Sequence, residues 1–377
     1  MARSSRRITS RRGKVRYAVV GLGHIAQAAV LPAFAHASRN SELSALVSDD
    51  ATKLRTLGRR YGVSARFGYD QFEECLESGI DAVYIALPNH LHREYAERAA
   101  RAGVHVLCEK PMALTEKDCE AMIRAAQKGG VKLMVAYRLH FEAANLTALE
   151  AVQSRAIGDP RIFNSVFTMQ VQQGNIRLRR ETGGGTLWDI GIYCINAARY
   201  LFRDEPEEVF AYTANNGEKR FREVDEMTSA VLRFPKERLA AFTCSFGAAD
   251  AGAYQVVGTK GDVRVDPAFE YAMALSSVVT VDGKKRTREY AKKDQFAPEL
   301  LHFSDCVRNG RDPQPGGREG LADVRIIRAL YRSARTGRPV RLGAFKSPAR
   351  PTLAKEERRP PVRKPDLVRA KPASGDD

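Results

Sequence analysis

The chain has 377 residues, 44% of them hydrophobic, which is typical of two globular domains. No apolar run approaches the roughly 18 to 20 residues that span a bilayer, which excludes a membrane-embedded protein. The net charge of +16 is concentrated at the ends, since residues 1–16 contribute +7 and residues 342–377 contribute +4. Because neither end carries interleaved aromatic residues or a recognition helix, we predict no dedicated nucleic-acid site.

The cysteines and histidines do not suggest a metal centre. Six cysteines lie in apolar contexts without a Cys-x-x-Cys pair, which predicts buried free thiols. His90 and His92 are two residues apart, but the sequence offers no third ligand near them. We therefore predict no metal site.

The first predicted strand, residues 15–20, leads into Gly21-Leu22-Gly23-His24-Ile25-Ala26 and then a helix-compatible stretch. Strand, G-x-G-x-x-A and helix is the arrangement that places a pyrophosphate at a helix N-terminus. Gly21 would make the turn, and Gly23 would allow the backbone to approach the phosphates. This order of elements predicts a dinucleotide-binding domain.

The second predicted strand, residues 43–47, ends at Ser48-Asp49-Asp50. A carboxylate at this point is typical of NAD binding, whereas a small polar residue with a nearby cation accommodates the extra phosphate of NADP. Ser48 and the following Lys53 favour NADP, and the two aspartates favour NAD unless they cap the next helix.

The next elements continue to alternate between strand and helix. Strands are predicted at residues 82–86, 104–107 and 132–136, and helices at residues 52–61, 69–77, 91–102 and 115–128. This alternation indicates a doubly wound parallel sheet, in which ligands bind beyond the carboxyl ends of the strands.

Lys110 follows one of these strands and stands between Glu109 and Pro111. Taken alone, such a tripeptide is typical of a polar turn. At the ligand edge of a parallel sheet, however, it places a cation at a fixed position beside the bound dinucleotide. We therefore predict a functional Lys110.

The second half changes character after a helical stretch at residues 142–155. Apolar runs favour a mostly antiparallel sheet with strands at residues 162–170, 208–213, 228–234, 239–246, 253–259, 262–266 and 272–281. One helix, residues 187–202, interrupts them after the glycine run 183–185. Asp189 and Tyr193 lie four residues apart, so they should share one face of this helix. They are either a dipole-compensating acid and a core tyrosine, or site residues that the glycines bring close to a ligand.

Many ordered motifs between about residues 15 and 342 resemble the glucose-fructose oxidoreductase and inositol dehydrogenase (Gfo/Idh/MocA) family. The matching segments are Gly21-Leu22-Gly23, Leu87-Pro88-Asn89 with His92, Cys108-Glu109-Lys110-Pro111-Met112, Tyr137-Arg138, Arg177-Leu178-Arg179-Arg180-Glu181, Gly183-Gly184-Gly185 and Asp189-Ile190-Gly191-Ile192-Tyr193. Tyr193 is typical of the glucose-fructose oxidoreductase group, where many other members have His. Ile176 departs from that group, which has Trp at this position.

The resemblance implies an α/β protein with two domains. A Rossmann domain with a doubly wound parallel sheet would span residues 15–138. A C-terminal α+β domain with a large, mostly antiparallel open sheet, residues 139–342, would bind substrate and mediate homodimers or homotetramers. Its closing helix, residues 316–336, would pack back on the first domain. The resemblance also implies a cis peptide bond before Pro111.

The resemblance assigns site residues as well. Those implied to bind tightly held NADP are Gly21, Gly23, His24, Ile25, Ser48, Lys53, Leu87, Pro88, Asn89, His92, Glu109, Lys110, Arg138 and Arg177. Substrate would contact Lys110, Tyr137, Asp189 and Tyr193, of which Lys110, Asp189 and Tyr193 are the candidate catalytic residues.

Oxidation of a sugar hydroxyl sends hydride to the nicotinamide and requires a base for the proton. A phenol is a poor base at neutral pH unless a cation favours the phenolate, and Lys110 would do this for Tyr193. Asp189 would hold a substrate hydroxyl or orient Lys110. The alternatives are a dissociable sugar or inositol dehydrogenase and a non-catalytic NADP sensor.

Both chain ends are predicted to be irregular. Residues 343–377 are rich in Pro, Lys and Arg, which predicts disordered or extended polyproline-like chain. The basic arm, residues 1–14, is expected either to be solvated or to lie across a neighbouring subunit's NADP. Arg6-Arg7 is not followed by an apolar export segment, so we expect a cytoplasmic protein.

Overall fold

The computed structural model describes residues 13–346 and 351–374. Its first sheet has six strands in the order β3-β2-β1-β4-β5-β6. They are β1 Val15–Val20, β2 Ser41–Val47, β3 Ala65–Phe67, β4 Ala82–Ile85, β5 His105–Glu109 and β6 Leu133–Ala136. Every pair is parallel, and every residue of β4, β5 and β6 is buried, as expected where helices cover both faces.

Two of the helices in this half begin at side chains that cap their first turn. The helices of this half are α1 Leu31–His36, α2 Ala51–Tyr61, α3 Phe72–Glu77, α4 His92–Arg101 and α5 Glu116–Gly129. Asp50 caps α2 by accepting from the Thr52 amide at 2.8 Å, and Thr115 caps α5 by accepting from the Asp118 amide at 3.1 Å. A π-helical turn, Ala26–Val30, connects the glycine-rich turn to α1.

The second sheet has nine strands in the order β14-β13-β12-β11-β7-β10-β9-β8-β15. They are β7 Pro160–Thr168, β8 Glu208–Ala214, β9 Met227–Phe234, β10 Arg238–Ser245, β11 Ala251–Gly258, β12 Gly261–Val265, β13 Leu275–Val281, β14 Lys284–Tyr290 and β15 Val340–Arg341. All pairs are antiparallel except β7 with β10. Buried and exposed residues alternate along β9, so only one face of the sheet joins the core at this strand.

The remaining described α-helices are α6 Ala143–Gln153, α7 Ile192–Phe202, α8 Ala297–Asn309 and α9 Gly317–Thr336. The α9 helix contacts both α5 and β8. It is tied to α7 by the fully buried Arg199, whose Nη1 donates to Glu319 at 2.9 Å and to Asp323 at 2.5 Å. Removing one partner of a buried ion pair costs much unfolding free energy, because it leaves a buried charge uncompensated. These ion pairs therefore fix the position of α9 against α7.

The α8 helix packs on the first sheet although it follows the second sheet in sequence. Ser304 lies 2.7 Å from the hydroxyl of Tyr17 on β1, and the Leu301 carbonyl accepts from Asn40 at 2.9 Å. The Rossmann half is therefore completed by a helix from the far end of the chain.

The fold class is confirmed, with a six-stranded parallel sheet and a mostly antiparallel nine-stranded sheet. The sequence analysis missed β3, α8, β14 and β15. It also predicted one continuous helix over residues 187–202, whereas Leu187–Gly191 is a π-helical turn that precedes α7. All six cysteines are free and buried, as predicted. Among the described residues, no helix is long and apolar enough to cross a membrane.

The two chain ends differ in how much of them is described. Most of the basic arm, residues 1–12, lies outside the described residues. The C-terminal residues 351–374 are described, and they are irregular, with bends at residues 368–369 and 373–374, apart from a short 3₁₀ turn at Leu353–Lys355. They follow the surface of the protein and contact both domains.

Candidate functional site

Lys110 extends from the carboxyl end of β5 toward the start of the second domain's central helix. Its Nζ donates to the Asp189 carbonyl oxygen at 2.7 Å and lies 3.3 Å from the Asp189 carboxylate. Only 12% of its side chain is exposed. The peptide bond before Pro111 is cis, as the resemblance implies. Burial opposes the charge on Lys110, but Tyr193, Asp189 and Glu109 outweigh this, and the pKa of Lys110 is raised.

Asp189 lies between two cations. Besides Lys110, it pairs with Arg177, whose Nε donates to the other carboxylate oxygen at 2.5 Å. Burial alone would raise the pKa of Asp189, but Arg177 and Lys110 hold it well below its usual range. Asp189 is therefore ionised and orients the Lys110 ammonium group.

Tyr193 lies one turn beyond Asp189, and its ring meets two cations. The Nζ of Lys110 is 4.7 Å from the ring centre, and the guanidinium carbon of Arg138 is 5.1 Å from it. Phe167 and Phe269 pack against the same ring at centroid distances of 5.5 and 5.9 Å. The ring is thus held in an aromatic pocket with two cations against it.

Two hydrogen-bonded contacts fix the loops around this group. The buried ring of His92 lies 2.8 Å from the Pro111 carbonyl and 2.9 Å from the Leu87 carbonyl, joining the loops after β4 and β5. Asn89 donates to the Gly183 carbonyl at 2.9 Å, which ties the first domain to the glycine run of the second. Gly183 has φ of +81°, and a Cβ there would lie 2.8 Å from Leu114 and 2.9 Å from Asn89.

The turn after β1, where the sequence predicts the phosphate site, contains two glycines with different surroundings. Gly21 has φ of +93°, and a Cβ there would lie 2.5 Å from the Ala86 carbonyl oxygen, so glycine is needed. Gly23 instead faces open space, with no described atom within 4 Å of the position of a Cβ. His24 and Ile25 follow at the start of the helical turn and are half-buried. Backbone can therefore approach a phosphate group here.

The end of β2, where the sequence predicts the ribose site, carries Ser48 and Asp50. Ser48 is buried, and its hydroxyl accepts from the Asp50 amide at 3.2 Å. Asp50 uses its carboxylate to cap α2, as the capping alternative predicted, and the backbone amide of Lys53 contributes to that cap at 3.1 Å. One carboxylate oxygen of Asp50 is thus already hydrogen-bonded to the first turn of α2.

Several predicted site residues have other partners. Glu109 is buried and accepts from the Tyr84 hydroxyl at 2.7 Å. Tyr137 stacks on His140 at 5.5 Å and is directed toward the buried Asp323, so the structure does not bring its hydroxyl to Lys110. Arg177, which the resemblance assigns to the cofactor, pairs with Asp189. Pro88 begins the short 3₁₀ turn that carries Asn89.

The sequence analysis missed Gln295 and Glu299, which precede and begin α8. Gln295 accepts from Arg138, which also donates to the Phe269 carbonyl. Glu299 is fully buried, and neither carboxyl oxygen has a hydrogen-bond partner among the described residues. The Asp-Gln-Phe-Ala-Pro-Glu stretch at residues 294–299 was the available signal, since a Pro in the first turn often starts a helix.

Within the described ranges there is no group of three or more potential metal ligands.

The fold and this site define a two-domain, dinucleotide-type oxidoreductase. A family model described as an oxidoreductase family with an NAD-binding Rossmann fold, Gfo/Idh/MocA, matches residues 15–137. The model of the Gfo/Idh/MocA C-terminal domain matches residues 145–264. The chain belongs to the Gfo/Idh/MocA oxidoreductase family.

Several similar proteins are named for carbohydrate substrates. A D-xylose 1-dehydrogenase (NADP⁺) of Haloferax volcanii is 31% identical over 331 residues, covering 86% of this chain and 99% of that protein. The crystal structure of the aldose-aldose oxidoreductase of Caulobacter crescentus is 42% identical with a TM-score of 0.84, covering 87% of this chain and all of that one. A 3-ketoreductase of Actinomadura kijaniata, solved with NADP, is 27% identical with a TM-score of 0.78, covering 85% of this chain and 98% of that one.

The buried Glu299 carboxyl predicts a pH dependence of stability that can be measured. Burial raises the pKa of this carboxyl well above its ordinary value, with Glu109 adding to the effect. Neutral Glu299 therefore contributes stability that is fully present below the unfolded pKa and is lost as pH rises through the folded pKa. Relative to wild type, Glu299→Gln should gain at least about 1 kcal/mol of unfolding free energy between pH 5 and pH 7.

Urea unfolding at several pH values measures this difference. Glu77→Gln, at an exposed position at the end of α3, is the matched control and should give a curve parallel to wild type. Parallel curves for Glu299→Gln as well would show that Glu299 is ionised in the folded protein.

Proposed function

We propose that the protein is an NADP-dependent sugar oxidoreductase that oxidises an aldose or related polyol at a C–OH group to a lactone or ketone. The convergence of Lys110, Asp189 and Tyr193 at the ligand edge of the first sheet carries this proposal. Its carbohydrate substrate class is supported by the D-xylose dehydrogenase and aldose-aldose oxidoreductase relatives. Turnover is proposed to alternate between oxidation of one sugar and reduction of a second on the same bound cofactor.

NADP is the proposed cofactor, and the residues present fit it. The NADP-dependent relatives support it, as does the polar Ser48 at the end of β2. Gly21 and Gly23 would form the phosphate turn, the loop containing Pro88 would lie along the dinucleotide, and Lys53 would approach the ribose phosphate. When bound, the nicotinamide supplies the hydride acceptor and donor.

The protein's own residues position the substrate and move its proton. Tyr193 is the proposed base, taking the hydroxyl proton during oxidation and returning it to a carbonyl in the reverse direction. Lys110 and Arg138 stabilise the phenolate that this role requires, because both carry positive charge close to the ring. Asp189 and Arg177 keep Lys110 from rotating away from Tyr193.

Two alternatives lead to different outcomes. A dissociable sugar or inositol dehydrogenase would use the same catalytic group but exchange its cofactor in every cycle. A non-catalytic NADP sensor would need only the nucleotide site, so the ordered charges around Tyr193 speak against it. A cytoplasmic location stays a prediction from the sequence.

The protein as purified tests the proposal directly. It should retain NADP through desalting, and adding an aldose should produce the absorbance of reduced nicotinamide without added cofactor. Screening aldoses, inositols and sugar phosphates identifies the substrate. Loss of cofactor on desalting, with activity restored by added NADP, would favour the dissociable enzyme, and no reduction by any sugar would favour the sensor.

Tyr193→Phe removes only the phenolic hydroxyl and should slow single-turnover reduction of bound NADP by roughly 100-fold or more. Lys110→Ala should be slower still, because it removes the cation and leaves Asp189 without one of its partners. Tyr212→Phe and Lys128→Ala, both at exposed positions outside the site, are matched controls. An unchanged rate in Tyr193→Phe would remove this tyrosine from the role of base.

The outer face of the second sheet is the proposed homodimer or homotetramer interface. Adjacent strands β7, β10, β9 and β8 present the large apolar side chains Ile162, Leu239, Val231 and Tyr212, which are 44%, 47%, 43% and 67% exposed. Val231→Glu combined with Leu239→Glu should shift the mass from light scattering toward the monomer. Met273→Glu, at another exposed apolar position, should not, and an unchanged mass in the double variant would place the interface elsewhere.

A further inference from the structure

The described C-terminal residues cross the molecule in an ordered path, and residues 355–373 are called the strap here. Near its start, Lys355 donates to the Gln314 carbonyl at 2.6 Å, and the Arg359 carbonyl accepts from the Asp294 amide at 3.3 Å. Near its end, the Ala373 carbonyl accepts from the Gln172 amide at 2.9 Å in the second domain. Between these points the strap passes over the first domain.

The middle of the strap binds beside the glycine-rich turn. The fully buried Gln27 donates to the Val368 carbonyl at 3.0 Å and accepts from the Val368 amide at 2.7 Å. The same Gln27 amide donates to the carbonyl of Leu22, between the two glycines, at 2.8 Å. Gln27 thus connects the strap backbone to the phosphate turn. Arg60 adds a bond to the Asp366 carbonyl at 2.5 Å.

The strap also encloses space. A cavity of about 80 Å³ is lined on one side by His24 and Ala28 of the turn after β1, and on another by Lys292 to Phe296. Val362, Pro365 and Leu367 of the strap complete its wall. The cleft between the two domains is therefore covered next to the phosphate turn.

One strap side chain reaches the ribose region. Arg369 Nη1 lies 3.4 and 3.5 Å from the two carboxylate oxygens of Asp50, at the end of β2. Its side chain is 66% exposed, so this pair is weak and its guanidinium can take a stronger anionic partner. A guanidinium pairs with phosphate through two hydrogen bonds, which a lone Lys53 ammonium does not.

We propose that the strap retains the dinucleotide in the cleft and that Arg369 pairs with the ribose 2′-phosphate of NADP. This inference rests on the proposed NADP-dependent function. A cofactor under the strap leaves only after the Gln27–Val368 hydrogen bonds open, so the strap slows release. The Arg369 contact exists for NADP and not for NAD, so it makes the site selective between the two.

The test measures dinucleotide binding without sugar turnover, by the fluorescence of NADPH and NADH during displacement from the purified protein. Ending the chain after Arg363 removes the contacts to Gln27, Arg60, Asp50 and Gln172 and should speed NADPH release by about 10-fold or more. Circular dichroism establishes that the shortened chain is folded.

Single substitutions keep the inference testable if the shortened chain fails to fold. Arg369→Ala should weaken NADPH binding by about 3- to 5-fold and leave NADH binding unchanged. Arg363→Ala is the matched control, because it removes the same charge from an exposed strap residue that forms no hydrogen bond or ion pair with a described residue. It should match wild type for both dinucleotides.

The outcomes separate the strap from the proposed function. If the full-length protein binds no NADPH, both are overturned. If it binds NADPH but release is equally fast or slower without the strap, or Arg369→Ala weakens NADPH and NADH equally, the strap proposal alone is overturned.

Discussion

The candidate functional groups of the two domains are held together by the ion pairs of Asp189. Its carboxylate is held by Lys110 from the end of β5 and by Arg177 from the loop before the glycine run. All three side chains are largely buried, where removing one partner would leave a charge without compensation, at a typical cost of about 3 to 5 kcal/mol. The pairs therefore hold the first domain's cation at the second domain's central helix.

The close contact between the two domains explains the glycine run at residues 183–185, just before Asp189. For Asp189 to reach Lys110, the chain before it must pass directly over the loop after β4, and the Asn89–Gly183 hydrogen bond is the result of that approach. Any side chain at residue 183 would collide with Leu114 and Asn89. His92, which is buried, holds the loops after β4 and β5 together, and its predicted contact with the cofactor stays a prediction.

Much of the site could be predicted because its signals are local. A glycine-rich turn after a strand, a lysine after a buried strand and a glycine run before a helix each have a physical meaning within a few residues. The α8 helix was missed because its contacts, such as Ser304 with Tyr17, join residues almost 300 positions apart. The edge strand β14, with the sequence KKRTREY, shows no apolar alternation because it is almost wholly exposed. The pairing of Arg177 with Asp189 depends on tertiary packing, which composition does not encode. The same is true of the path of residues 355–373.

The balance of charge in the site follows from these positions. Lys110, Arg138 and Arg177 surround Tyr193 and Asp189, and burial raises the pKa of both Glu299 and Glu109. Asp189 pairs directly with two of these cations, and Arg177 and Lys110 hold its pKa well below the usual range. A positive, poorly solvated cleft stabilises a phenolate and attracts the phosphates of a dinucleotide for the same electrostatic reason. In the proposed function, the same buried cations would therefore serve both the binding of an anionic cofactor and the removal of a proton from a sugar hydroxyl.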